Sequence, residues 1–254
     1  MKIGIFSFFG RWVILTPKFI SRRYESRALA ADRACFRHNS IFLTHNHMLN
    51  QVIFLYVIIV ISAVFHEYAH GLTAFYLGDP TAKNEGRLTL NPVVHMDLFG
   101  TIILPLFLLF TGGIFIGYAK PVPYNPNNLR DKKYGSLKVA IAGPSSNLFI
   151  ALVFGLFLRF FSDKILMSNI IPPIFLSLIA LITVTNIALA FFNMIPFPPL
   201  DGSKVFFDLF PRYWSRIMNL GFSGLILALL VAFFLLPKLI SSAFWLITGQ
   251  SMGF

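Results

Sequence analysis

Hydrophobic and polar positions divide this chain into long apolar runs and short polar loops. From 49 to 65 the run LNQVIFLYVIIVISAVF is almost entirely apolar, and it continues without Pro or Gly into HEYAHGLTAFYLG. One helix over 49–77 is expected, ended by Gly78, Asp79 and Pro80. Residues 79–97 (DPTAKNEGRLTLNPVVHMD) are polar and turn-rich, which predicts a loop with one short strand at RLTL. Three further runs, 137–161, 170–195 and 217–248, match the roughly 20 apolar residues that a bilayer crossing needs. Within the last, 217–236 is expected to cross and 239–248 to form a short interfacial or terminal helix.

The stretch 98–118 is ambiguous. It holds Pro105, Gly112, Gly113 and Gly117, and FLLF and IFIGYA flank a TGG turn, a pattern that suits a β-hairpin as well as a helix. Topology favours a hairpin that dips into the membrane and returns. The basic loops 79–97 and 119–136 then share the cytoplasmic side, as the positive-inside tendency prefers. Backbone of this kind at membrane depth must be buried in protein or line a wet cavity. The expected fold is therefore an all-α polytopic membrane protein with about four to six transmembrane helices and a re-entrant β-hairpin.

Composition agrees with that picture. The 254 residues are 56% hydrophobic and 12% charged, more apolar surface than a soluble core of this length could hide. Net charge is +11, and residues 1–47 carry eight basic side chains against Glu25 and Asp32. This Arg-rich leader reads as a targeting segment, a membrane-surface arm, or sequence upstream of a true start at Met48, ahead of a membrane domain over 48–254. Topology places the leader outside, against the charge rule. Because the basic residues flank membrane segments, nucleic acid is not an expected partner. The single cysteine, Cys35, excludes an internal disulfide and a cysteine-paired metal site, so a metal would fall to His, Asp or Glu.

The chemistry-bearing pattern is His66-Glu67-x-x-His70. On a helix, residues four apart project from one face and can bind one zinc ion, with Glu67 beside them as the base that takes a proton from the attacking water. Three ionisable groups in one turn of a membrane helix mark a functional site by default. The plainer reading places them among solvated headgroups, since His66 lies about 25 Å along the helix from residue 49. A catalytic zinc takes three protein ligands and keeps one position open. Asp201 is the candidate third ligand, as the sole acidic residue from 170 to 207. Pro196, Pro198 and Pro199 break the helix before it, and Gly202 allows close backbone approach. Alternatively Asp201 caps the helix DGSKVFFDLF.

HEYAH, GRLTLNPVVHMDLFGT, YAKPVPYNPNNLR, AGPSSN and NMIPFPPLDG, in this order, resemble the site-2 protease family, in particular its compact bacterial branch without a PDZ domain. The likeness covers roughly 50–210. It implies a zincin-type active-site helix, one zinc ion held by His66, His70 and Asp201, and Glu67 as the catalytic base. It implies a multi-pass enzyme of a bacterial cell membrane, with its active site toward the cytoplasm. Its substrate would be a membrane protein whose transmembrane helix unwinds near that face.

Four more residues carry two readings each. Asn147, expected near its helix start, could donate to a tetrahedral oxyanion or hold a substrate strand, or else cap or bridge helices. Asn193 could fix Asp201 or satisfy carbonyls freed by Pro196. His95 and Asp97 could shape the site or be solvated loop residues. The rival functions are a non-proteolytic metal-binding membrane protein (a zinc carrier or an inactive client-binding relative) and a purely structural subunit. A carrier would show paired broken helices, and an inactive holder would lack Glu67.

Overall fold

The computed structural model describes residues 40–105, 107, 119–168, 170–219 and 221–252. The expected leader, up to residue 39, and most of the expected hairpin, residues 106 and 108–118, lie outside them. In chain order the helices are α1 (Ser40–Tyr76), α2 (Thr81–Asn84), α3 (Pro92–His95), α4 (Gly135–Ser168), α5 (Pro173–Asn193), α6 (Asp201–Leu209), α7 (Pro211–Asn219) and α8 (Gly221–Thr248). The described residues contain no strand. Three helical stretches, Ile53–Tyr76, Gly135–Ser168 and Ile174–Asn193, are long and apolar enough to cross a membrane.

α4 is the central element and packs against α1, α5, α6 and α8. Contacts order the helices along their length. Ala74 of α1 clusters with Val139 of α4, whereas Ile58 and Ile59 of α1 join the same apolar core as Ala151 and Leu158 of α4. The two helices therefore run antiparallel, and His66 and His70 fall between the two clusters. α5 contributes Leu176, Ile179, Val184 and Ile187 to the larger core, and α8 contributes Ile240 and Phe244. Gly155 permits this closeness, because a Cβ there would strike Ile247 of α8 and approach Thr183 of α5.

Three expectations are corrected by local physics. No strand forms at 87–90, because the Arg87 N–H closes onto the Ala82 carbonyl at 2.8 Å and its guanidinium turns to loop carbonyls. Pro237 does not separate a crossing helix from a terminal one, since Ile240 and Phe244 beyond it pack into the core and α8 runs on through it. Asn147 lies twelve residues inside α4, whose start at Gly135 is stabilised from outside: Asp208 at the end of α6 accepts the Leu137 N–H at 2.7 Å. Burial, aided by the charge of Asp131, raises the pKa of Asp208 above the usual carboxylate range, against the opposing pull of that N–H.

α1 ends as its sequence dictates. Gly78 adopts φ 104°, a region costly to any other residue, and the chain turns into loop 79–97. Asp79 is fully buried and accepts from Thr81 N and Oγ1, Asn125 N and Asn128 Nδ2, at 2.5 to 3.2 Å, so it ties the end of α1 to the loop before α4. Asp97 likewise accepts from Gly100 N and starts a π-helical turn, Leu98–Ile103.

Burial alone would raise the pKa of Asp79, but the hydrogen bonds from Thr81, Asn128 and Asn125 outweigh it and hold the carboxyl below its usual value. A pKa lower in the folded state than in the unfolded one gives stability that is complete at neutral pH and lost as pH falls through the folded value. The thermal midpoint of the purified protein should therefore fall on acidification, and Asp79→Asn should be less stable at neutral pH while losing less on acidification. An equal acid slope in both proteins would contradict this.

Candidate metal centre

His66, Glu67 and His70 occupy one turn of α1 and are all buried. The two imidazoles stand edge to face, with Nε2 atoms 3.0 Å apart. Asp201 comes from the first turn of α6, which packs against α4, and is fully buried. Its Oδ2 lies 3.0 Å from His66 Nε2 and 3.1 Å from His70 Nε2. Asp201 does not cap α6: the cap position is Leu200, and the carboxylate points to the histidines. Gly202 makes this possible, since a Cβ there would collide with the Met194 and Ile195 carbonyls at the end of α5.

The outer ring nitrogens fix what the inner ones can do. His70 Nδ1 lies 2.6 Å from the Val139 carbonyl, which can only accept, so Nδ1 carries the proton. His66 Nδ1 lies 2.6 Å from Asn147 Oδ1. The amide's orientation follows from its other end, where Asn147 Nδ2 donates to the Ser62 carbonyl at 3.3 Å and to Asn186 Oδ1 at 2.9 Å. Asn186 in turn donates to Ser62 Oγ and to Ile182 O. In the neutral tautomers both Nε2 atoms therefore present lone pairs, to each other and to a carboxylate oxygen.

That triangle fits a cation. Three lone-pair donors at 3.0 to 3.1 Å repel one another in a low-dielectric interior unless positive charge lies among them. A tetrahedral zinc with bonds of about 2.0–2.1 Å sets neighbouring ligands about 3.3 Å apart, close to the spacing here. The third side of the space is kept clear by Gly143 of α4, where a Cβ would press into both Nε2 atoms. Pro144 follows it and lacks the N–H that would close the helix onto Ala140, which loosens the turn carrying the Val139 carbonyl. Glu67 is 3% exposed, and its Oε2 accepts the Val122 N–H at 2.8 Å.

The remaining sequence candidates lie elsewhere or act differently. Asn147 reaches the centre, yet its amide nitrogen is engaged by Ser62 and Asn186, and its oxygen faces His66. Asn193 donates to Leu189 O of its own helix. His95 is buried with Nε2 2.8 Å from Thr89 O, and it orders loop 79–97. Sequence reasoning did not single out Ser62, Asn186, Gly143, Val122 or Val139. Asn186 was the readable one, as an amide in the middle of a mostly apolar helix; the others act through backbone groups, a short hydroxyl or an absent side chain.

Comparison with known proteins meets this geometry. Residues 54–237 match Peptidase family M50. A Bacillus subtilis protein named "Putative zinc metalloprotease YwhC" is 37% identical over 164 residues, 62% of this chain and 69% of that protein. Proteins named "Putative zinc metalloprotease Rip2" from Mycolicibacterium smegmatis and Mycobacterium tuberculosis are each 30% identical, over 143 and 146 residues, 56% of this chain and 52% of theirs. The chain thus spans about half the length of these mycobacterial relatives. No solved structure matches the chain. With a family match over most of its length, a range that includes the three residues of the buried triangle, the chain belongs to peptidase family M50, the site-2 protease family.

Proposed function

We propose that this protein is an intramembrane zinc endopeptidase that hydrolyses peptide bonds of membrane proteins within or beside the bilayer. The observation that carries the reading is the meeting of His66 Nε2, His70 Nε2 and Asp201 Oδ2 around one buried point, inside a helix apolar enough to span, with Glu67 adjoining. In this reading His66, His70 and Asp201 hold one zinc ion. The chemistry that zinc supplies when bound is Lewis-acid activation of water and of the scissile carbonyl.

Glu67 is the general base. Its carboxylate, oriented through Oε2 by the Val122 N–H, takes the proton of the attacking water and returns it to the leaving nitrogen. Asn147 is a positioning residue, whose oxygen holds the His66 ring in its metal-ready tautomer. His95 and Asn193 shape the loop and helix end around the site, without touching its ligand atoms.

The substrate is a membrane helix that unwinds at the site, because a helical peptide bond is shielded by its own turn. Orientation follows from charge. Lys83, Arg87, Lys120, Arg130, Lys132 and Lys133 lie between α1 and α4, at the same end of both as the metal centre, which favours the cytoplasmic face of a bacterial cell membrane. α8 serves as a fourth spanning helix in a fold of about four to six. The rival reading, a carrier or inactive holder of zinc, gives Glu67 no task, whereas its burial beside the ring nitrogens suits hydrolysis.

Three outcomes test this. Glu67→Gln should keep about one zinc per chain and abolish cleavage of a membrane substrate; retained cleavage removes Glu67 as the base. Asp201→Ala should lower zinc content, measured by elemental analysis of the purified protein, and an unchanged content removes that ligand. Gly143→Ala should displace the imidazoles and lower both zinc content and activity, and a fully loaded, active variant would show that the triangle is not where the ion binds.

A further inference from the structure

We propose that Arg87 is a positioning residue for Glu67, acting through the backbone of residues 120–122; the proposal rests on Glu67 as the base. Arg87 is 7% exposed although it lies in a polar loop. Its guanidinium donates through Nη2 to the Lys120 carbonyl at 3.0 Å and to the Pro121 carbonyl at 3.3 Å. The next residue, Val122, gives its N–H to Glu67 Oε2. One cation therefore holds the two carbonyls directly before the donor that orients the base.

The strip is fixed from other sides as well. The Lys120 N–H donates to the His95 carbonyl at 2.9 Å, and the His95 ring is tied to Thr89 O, so loop 79–97 holds the start of the strip at a second point. Gly71, one turn after Glu67, lets the strip lie against α1, since a Cβ there would meet Val122 Cγ1 at 2.9 Å. Pro121 and Pro123 have no N–H to offer, which leaves Val122 the sole backbone donor between them. The guanidinium suits this task because the two hydrogens of its Nη2 lie in one rigid plane and reach the two carbonyls together, which a freely rotating lysine ammonium does less rigidly.

The experiment uses the full-length protein reconstituted with zinc and a cleavable membrane substrate. Arg87→Lys should lower kcat by about tenfold to a hundredfold, the scale of a misplaced catalytic group, with KM within about twofold and zinc still at about one per chain. Val122→Pro, which deletes the donor itself, should reproduce that split, and the double variant should be no slower than the slower single one. Wild-type kcat in Arg87→Lys, losses that multiply in the double variant, or zinc lost in step with activity would overturn the proposal. Cleavage by Glu67→Gln would instead overturn the reading of the base, and so separates that failure from this one.

Discussion

Two imidazole nitrogens and a carboxylate oxygen face one another across about 3 Å in a buried site, and with the imidazoles neutral each offers electrons and no proton. Such a triangle is unfavourable by itself. It persists because everything around it is fixed: both outer ring nitrogens are bound to oxygens, Gly143 keeps the third wall flat, and Gly202 lets Asp201 approach. Electrostatics thus demands a cation where the surrounding packing has already assembled its donors.

α4 is the template for that assembly. Val139, Gly143 and Asn147 are spaced four apart, so they form one stripe along its face. The stripe supplies a carbonyl to His70, an open surface to the ion and an amide oxygen to His66. The antiparallel run of α1 matches it, with His66 opposite Asn147 and His70 opposite Val139. Apolar clusters on both sides lock the register, so the polar band cannot slide without exposing Ala74 and Val139 at one end or Ile58 and Ala151 at the other.

Much of this was legible in the residues. The apolar runs located the long helices, because length and hydrophobicity decide them with little help from tertiary context, but not all of their ends: α1 begins nine residues before 49 and α4 continues seven beyond 161. HEYAH and the lone acid of NMIPFPPLDG pointed to the three converging side chains, since a buried ionisable group in an apolar setting needs a reason. Less legible were features that depend on partners distant in sequence. The start of α4 depends on an acceptor 71 residues away, Asp208. RLTL has strand-like composition, yet an N–H to Ala82 bends it. For Asn147 the residues left a donor to substrate and a bridge between helices both open, because its amide was visible and its neighbours Ser62 and Asn186 on two other helices were not.

The nine-residue helix α6 is fastened at both extremities. Its first residue, Asp201, meets the histidines and its eighth, Asp208, grips the opening turn of α4. Seven residues of helix make a stiff rod of about 10 Å. Anything that tugs on the lip where α4 emerges is therefore felt by the carboxylate at the other end of the rod, and the chemistry deep in the protein is mechanically continuous with its outer rim.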